Sequence, residues 1–319
     1  MTATNSAVLI TGANTGLGKD VARQLAILGT FDTIYLACRS EAKAETAKRD
    51  LERITGRSVF DIVPVDTADL TSVRSAAAAI THPLDAIVLN AGGTGGQTPM
   101  ALTADGVTTI FAANVLGHVV LVEQLIAAGM LTSTAVLTGS EAARGVPKLR
   151  IKRPVFETHS VDEFETVIDG SFFRGKKFDP MLAYAQVKYL GALWMSALAR
   201  KHPELRLLTV SPGNTSGTDA LRDMNVVTRT LVQRVVMPYV GPAFGVVHKL
   251  DVGARRLVDA VIDESWESGV FYASAPKKLT GPLMDQARIV SDFSSETIQD
   301  HAYDAIHRFV PASAPDTLA

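Results

Sequence analysis

Residues 8–29, "VLITGANTGLGKDVARQLAILG", decide the fold. An apolar run ends at Thr11, a glycine-rich turn follows, and apolar residues then recur with helical spacing at Val21, Leu25 and Leu28. Glycine adopts backbone angles that other residues resist, and the main-chain N–H groups of such a turn can meet a phosphate at the positive end of a helix. The stretch therefore predicts a strand, turn and helix that bind a dinucleotide, with an ordinary tight turn as the alternative.

Similar strands recur along the chain, and helical patterns lie between most of them. The short apolar runs are AVLI (7–10), TIYLA (33–37), FDIVPV (60–65), DAIVL (85–89), TAVLT (134–138), LRLLTV (205–210) and GVFYA (269–273). Alternating strands and helices predict an α/β fold. We expect a doubly wound, Rossmann-like parallel sheet of about seven strands with helices on both faces. No linker or repeat divides the 319 residues, so we expect a single domain over 1–319.

Composition excludes several classes of function. The net charge of −2 gives no reason to expect a nucleic-acid partner. A single cysteine, Cys38, rules out an intramolecular disulfide and a cysteine-based metal cluster, and it fits a cytoplasmic protein. The histidines lack the spacing of metal ligands, so no metal site is expected. We identify no signal peptide and no apolar run of about 18 residues, so no membrane span is expected.

Two stretches interrupt the alternation of strands and helices. Residues 144–180 form an insertion whose basic run is predicted to be a solvated loop balanced by nearby acids, although it could instead meet an acidic substrate or partner. That run contains Arg144, Lys148, Arg150, Lys152 and Arg153, and the acids are Glu157, Asp162, Glu163 and Glu165. Residues 219–248 include an apolar segment with prolines and glycines at 235–248, which predicts a substrate lid; a fixed helix pair in the core is the alternative.

Several motifs follow the strands in an order that resembles the short-chain dehydrogenase/reductase family. The first turn has the form T-G-x-x-x-G-x-G, N-A-G occurs at 90–92, Y-x-x-x-K at 184–188 and S-P-G at 211–213. Each match is weak alone, but together they cover residues 5 to 275. The insertion and the stretches ACR, FDPMLAYAQVK and PGNTSGTDAL are most similar to the branch of retinol dehydrogenases and protochlorophyllide reductases.

The resemblance implies a nicotinamide cofactor and assigns residues to it. They are Gly12, Asn14, Thr15, Gly16, Leu17, Gly18, Arg39, Asp66, Asn90, Ala91, Gly92, Tyr184, Lys188, Pro212, Gly213 and Thr218. NAD-preferring members carry an acid at the end of the second strand, where this chain has Cys38 followed by Arg39. A guanidinium binds a 2′-phosphate well, so NADP(H) is predicted. The alternatives are a solvated surface role for Arg39 and a simple helix cap for Asp66.

The resemblance also implies the catalytic residues Asn114, Ser140, Tyr184 and Lys188. Four residues of separation on a helix place Tyr184 and Lys188 on one face, and Lys188 with the oxidised cofactor is expected to lower the pKa of the phenol. By resemblance, Tyr184 acts as general acid or base, Ser140 positions the substrate oxygen and Asn114 holds a water that links Lys188 to solvent. A half-buried structural tyrosine is the alternative for Tyr184.

The predicted function is the NADP(H)-dependent transfer of a hydride to or from a carbonyl or secondary alcohol of a small apolar molecule. The alternative from another class is a catalytically silent redox sensor or scaffold that binds the dinucleotide. A third hypothesis is a peripheral membrane enzyme that rests residues 235–248 on lipid. The sequence leaves the substrate, the direction of the reaction and a homo-oligomeric state open.

Overall fold

A computed structural model describes residues 6–215, 248–276 and 279–311. Its centre is an eight-stranded sheet in the order β3-β2-β1-β4-β5-β6-β7-β8. The strands are β1 Ala7–Thr11, β2 Thr33–Cys38, β3 Phe60–Pro64, β4 Leu84–Leu89, β5 Leu131–Thr138, β6 Arg206–Val210, β7 Phe271–Ser274 and β8 Leu283–Asp285. All neighbours pair in parallel except β7 and β8, which are antiparallel. The seven predicted strands are confirmed, and the eighth is a three-residue edge strand without an apolar run.

Helices cover both faces of the sheet, as predicted. They are α1 Gly16–Leu28, α2 Glu41–Thr55, α3 Leu70–Ala78, α4 Thr109–Ala127, α5 Val161–Ile168, α6 Pro180–Lys201, α7 Leu250–Ile262 and α8 Glu296–His307. One hydrophobic core lies under α1, α2 and α7, and a larger one lies under α3, α4 and α6. Side chains of β1 alternate between them, since Val8 and Ile10 join the first core and Ala7 and Leu9 the second.

Local sequence explains where most of these helices begin. The side chains at the N-caps of α2, α3, α5, α6 and α8 accept a hydrogen bond from a main-chain N–H of the first turn. These caps are Ser40, Asp69, Ser160, Asp179 and Ser295. At α1 the N-cap is Thr15, which is extended and makes no side-chain cap hydrogen bond.

Helix α4 contains a π-helical segment at Ala112–Leu116, the kind of bulge that often occurs at functional sites. Among the described residues, α4 is the helix that is long and apolar enough to cross a membrane by length and composition. Most of it is buried in the molecule, 72% of the most apolar window, which is also the pattern of a core helix.

The insertion at 144–180 is fastened to the body of the protein, and the prediction of a solvated loop is wrong for Arg144. That side chain is buried and donates hydrogen bonds to the carbonyls of Gly145 and Ser274, because the turn that carries it folds under the end of β7. The predicted acidic partners also differ. Lys152 lies 3.4 Å from Asp179, and Arg153 lies 3.1 Å from Asp292.

The order in which strands are added to the sheet changes direction between β1 and its parallel neighbour β4. Strands β2 and β3 follow on one side of β1, while β4 to β7 follow on the other. The carboxyl ends of β1 and β4 therefore flank the crevice in which open α/β sheets bind ligands.

Candidate active site

The glycine-rich turn joins β1 to α1 at this crevice. Gly12 has a φ of +68°, a conformation that a larger residue would strain. A Cβ at Gly18 would lie 2.6 Å from the carbonyl oxygen of Gly12 and from the side-chain nitrogen of Asn90. The missing side chain thus lets α1 approach the strand ends. Since Thr15 makes no side-chain cap hydrogen bond, the first-turn N–H groups of α1 suit an anion.

The other predicted residues of this turn lie around it. Asn14 and Leu17 are half-buried, and Leu17 packs against the core beneath α1. The thiol of Cys38 accepts backbone hydrogen bonds from Ala13 and Asn14, and burial raises its pKa to about 11. The neutral thiol therefore helps to hold the backbone of the turn in place.

Thr11 connects the turn to the N-A-G segment. Its hydroxyl oxygen accepts the main-chain N–H groups of Asn90 and Ala91 at 2.8 and 2.9 Å. The side-chain amide of Asn90 donates back to the carbonyl of Thr11 at 3.0 Å. The ends of β1 and β4 are therefore held together by side chains as well as by the sheet.

Asn114 lies in the π segment of α4 and holds the backbone of Gly93. Its amide nitrogen donates to the carbonyls of Gly93 and Ile110, and its oxygen accepts the N–H of Gly93. A Cβ at Gly92 would lie 2.3 Å from that oxygen, so the loop runs against the Asn114 side chain. Both N–H donors of the amide are used by these contacts, and Oδ1 accepts one of the two hydrogen bonds that it can take. The predicted water-holding role stays a prediction.

His118, one turn further along α4, joins these two arrangements. Its Nδ1 lies 3.2 Å from the carbonyl of Asn114 and its Nε2 lies 3.0 Å from the hydroxyl of Thr11. Because the carbonyl can only accept, Nδ1 carries the proton and Nε2 accepts from Thr11. Burial, with the charge of Lys188, lowers the pKa of His118 to about 3. The imidazole is therefore neutral.

Ser140, Tyr184 and Lys188 meet at the carboxyl end of β5. Ser140 follows the strand and starts a short 3₁₀ turn, Glu141–Arg144, while the other two lie on α6. The hydroxyl of Ser140 lies close enough to the phenol of Tyr184 to lower its pKa. The buried ammonium of Lys188 donates to the carbonyl of Thr138 at 3.0 Å and lies 5.7 Å from the centre of the Tyr184 ring.

The expected lowering of the Tyr184 pKa includes the charge of the oxidised cofactor and stays a prediction. Burial raises the pKa of Tyr184 to about 12; the nearby hydroxyl of Ser140 opposes this and the charge of Glu141 adds to it. Burial also lowers the pKa of Lys188 to about 8. The cost of burying a phenolate exceeds the stabilisation from nearby groups, so Tyr184 is a protonated donor at neutral pH.

The turn after β6 lies on the far side of the crevice. The hydroxyl of Thr215 donates to the carbonyls of Pro212 and Gly213, which closes the turn, and the hydroxyl of Ser211 reaches Glu141 at 2.6 Å. Thr218 and the predicted lid at 219–248 lie outside the described residues, apart from His248. Glu141 is not among the predicted site residues; its signal in the sequence is a charged residue directly after the serine, in an otherwise apolar segment.

Arg39 and Asp66 lie at the other end of the crevice, beyond β2 and β3. The Arg39 guanidinium is 75% exposed and lies 3.7 Å from the Asp66 carboxylate. Helix α3 is capped by Asp69, so the alternative of a simple helix cap does not hold for Asp66. The two ends of the predicted site therefore both lie where the parallel strands end, on the carboxyl side of the sheet.

Residues 6–147 match the family model described as short chain dehydrogenase. Retinol dehydrogenase 11 of Mus musculus is 38% identical over 121 residues, which are 37% of each chain. Retinol dehydrogenase 12 of Bos taurus is 37% identical over 45% of each chain. A short-chain dehydrogenase/reductase of Armillaria gallica is 33% identical over 66% of this chain and 65% of its own. The matches thus span less than two thirds of these relatives.

Solved structures share the fold. Salutaridine reductase from Papaver somniferum superposes with a TM-score of 0.59 at 18% identity, over 83% of this chain and 99% of its own. A short chain dehydrogenase from Burkholderia cenocepacia, solved in complex with NADP, gives a TM-score of 0.57 at 23% identity over 84% and 95% of the two chains.

Proposed function

We propose that this chain is an NADP(H)-dependent oxidoreductase of the short-chain dehydrogenase/reductase family, acting on a carbonyl or secondary alcohol of a small apolar molecule. One observation carries the proposal: Ser140, Tyr184 and Lys188 meet at the carboxyl end of β5, beside the crevice that the glycine-rich turn borders. A proton donor and an anion-binding turn within one crevice are what such a reaction requires.

The cofactor would be held from both ends of the crevice. The uncapped N-terminus of α1 suits the pyrophosphate, and Gly12 and Gly18 keep side chains out of its way. We propose NADP(H) rather than NAD(H) because the exposed guanidinium of Arg39 can bind a 2′-phosphate, while the buried Cys38 offers the ribose no carboxylate. When bound, the reduced cofactor supplies a hydride.

The side chains of the protein supply the proton. In the direction of carbonyl reduction, the neutral phenol of Tyr184 donates its proton to the substrate oxygen, which Ser140 positions with a hydrogen bond. With a pKa raised to about 12, Tyr184 is protonated at neutral pH and is therefore available as the donor in this direction. Lys188 contributes a positive charge close to the ring, at 5.7 Å, which stabilises the phenolate that forms.

The proposal can be tested with the purified protein. NADPH and NADH binding is measured by calorimetry, and a panel of apolar aldehydes and ketones is then offered while the consumption of NADPH is followed spectroscopically. We expect NADPH to bind more tightly and at least one carbonyl class to be reduced. Tight binding without turnover across the panel, in both directions of the reaction, would instead support a catalytically silent sensor or scaffold.

We further propose that the enzyme works in the cytoplasm on an apolar substrate. Its sole cysteine is buried and reduced, which fits that compartment. Flotation with liposomes tests this proposal. A protein that stays at the bottom of the gradient is expected, whereas co-flotation would favour the hypothesis of a peripheral membrane enzyme.

A further inference from the structure

Glu141 is a buried acid at the centre of the strand ends, and the proposed reaction does not yet use it. It directly follows Ser140, and 5% of its surface is exposed. The hydroxyl of Ser211 donates to Oε2 at 2.6 Å, and the N–H of Ser274 donates to Oε1 at 3.0 Å. Both oxygens accept, as an ionised carboxylate does. A single side chain therefore links the segments that follow β5 and β6 to the end of β7.

The contact with Ser211 reaches the predicted cofactor turn. The oxygen of Ser211 also accepts the N–H of Gly213 at 3.1 Å. Because its proton is donated to Glu141, the orientation of the Ser211 hydroxyl is fixed, and that orientation presents a lone pair to Gly213. Glu141 thus acts on the Pro212–Gly213 turn through one intervening hydroxyl.

Cations face the Glu141 carboxylate from several elements. Arg144 lies on the same 3₁₀ turn and Arg256 lies on α7, and Glu141 acts electrostatically on both guanidinium groups. Arg256 donates to the hydroxyl of Ser274 and to the carbonyl of Gly281, so its position is fixed. The charge of Glu141 also acts electrostatically on His248, which precedes α7. The carboxylate is therefore part of a buried cluster of charges of both signs.

Tyr184 lies on the other side of this cluster. Ser140, the neighbour of Glu141 in the chain, lies beside the phenol, and burial raises the pKa of Tyr184 while the negative charge of Glu141 adds to that rise. Lys188 faces the same phenol from the next turn of α6, and the neutral imidazole of His118 lies within electrostatic reach of Lys188. The protonation of Tyr184 thus depends on a charge that the family resemblance did not assign.

We propose that Glu141 is a positioning residue that couples the Ser140 turn to the Pro212–Gly213 turn and places a negative charge near the phenol of Tyr184. This inference rests on the proposed function, because the proton of Tyr184 matters only if Tyr184 is the donor. The proposal has two consequences that can be tested separately. The hydrogen bond through Ser211 affects the position of the predicted cofactor turn, and the charge of Glu141 affects the protonation of the Tyr184 phenol.

The experiment measures the phenol directly. The full chain is produced with 3-fluorotyrosine, and the fluorine resonance of Tyr184 is assigned by its loss in Tyr184→Phe. Its titration is then compared among wild type, Glu141→Gln and Ser211→Ala, with circular dichroism as the check on folding. We expect Glu141→Gln to move the midpoint to lower pH by about half a pH unit or more, because a negative charge has been removed. Ser211→Ala keeps the charge and should leave the midpoint in place.

Cofactor binding gives the second measurement. Ser211→Ala should weaken NADPH binding several-fold while the titration of Tyr184 stays unchanged, and Glu141→Asp should retain the high midpoint of the wild type. If Glu141→Gln does not fold, Ser211→Ala carries the test, and unchanged NADPH binding in that folded variant would overturn the coupling of the two turns. A folded Glu141→Gln protein with an unmoved midpoint would also overturn the proposal.

The titration does not need turnover, so it distinguishes the two proposals. A protein that reduces no carbonyl but shows the shift in Glu141→Gln would refute the proposed function and retain the electrostatic role of Glu141. A protein that turns over normally, with identical titrations and pH profiles of kcat in wild type and Glu141→Gln, would retain the function and refute the inference.

Discussion

The guanidinium of Arg39 lies 3.7 Å from the carboxylate of Asp66, across the turns that follow β2 and β3. The arginine is 75% exposed, and exposed ion pairs contribute only about 0–1 kcal/mol. Arg39 can therefore exchange this partner for a phosphate at little cost.

Arg39→Ala is expected to abolish most of the preference for NADPH. The wild type should bind NADPH at least tenfold more tightly than NADH, about 1.4 kcal/mol, and the variant should bind both alike with little change for NADH. Calorimetric titration measures both constants. Arg53→Ala on α2, where the arginine is similarly exposed, is the matched control and should leave the preference intact. Equal affinities in the unchanged protein would contradict the assignment.

Tyr184→Phe keeps the ring and removes the proton donor. Turnover should fall by about 10²-fold or more, as for lost general acid catalysis, while NADPH still binds. Tyr189→Phe is the control on the same helix: its hydroxyl donates to Asp292 rather than facing Ser140, so its loss should lower thermal stability more than turnover. Near-normal turnover in Tyr184→Phe would show that another group donates the proton.

Lys188→Met should stabilise the fold while it removes activity. The pKa of Lys188 falls from 10.5 to about 8 by burial, so below pH 8 the folded state carries a buried charge at a cost of about 3 kcal/mol. The lost bond to Thr138 reduces the gain to about 1–3 kcal/mol at pH 7.

The sign of the pH dependence follows from proton binding. Between about pH 8 and 10.5 the unfolded state holds more protons at Lys188, so the wild type gains stability with rising pH and the advantage of Lys188→Met disappears near pH 10.5. Urea unfolding at several pH values measures it, with the exposed Lys177→Met as control. A constant or growing advantage at high pH would be inconsistent with this account.

His118→Gln should make the protein less sensitive to acid. The pKa of His118 falls from 6.5 to about 3 on folding. Between these two pH values the unfolded state is protonated at His118 and the native state is not. The free energy of unfolding therefore decreases as the pH falls from 6.5 towards 3. The loss in unfolding free energy between pH 7 and 4 should be smaller in the variant by roughly 2–5 kcal/mol. Exposed His82→Gln should leave the slope unchanged, and an unchanged slope in His118→Gln would argue against the buried neutral imidazole.

The sequence predicted the sheet well because each buried strand needs an apolar run, and the motifs lie where those runs end. Strand β8 escaped prediction because a three-residue edge strand buries too little surface to leave a pattern. The burial of Arg144 and the role of Glu141 were also missed. Both depend on Ser274, 130 or more residues away in the chain, and local patterns do not record such partners.

The same limit applies to pKa values. Residue spacing places Tyr184 and Lys188 on one helix face, but it does not report how deeply α6 is buried. Desolvation determines both pKa values in the structure, and it outweighs the attraction that spacing alone suggests.

The contacts that attach the insertion to the rest of the protein affect the order in which the chain folds. Tyr189 on α6 and Arg153 in the insertion both hold Asp292, which lies 103 and 139 residues further along the chain. During synthesis, the segment that bears Tyr184 leaves the ribosome long before Asp292 exists. Contacts of such sequence separation form late, because the intervening chain must first be ordered. The nascent polypeptide can thus assemble its first strands early, whereas the geometry around Tyr184 becomes permanent only after the 103 residues from Tyr189 to Asp292 have been made.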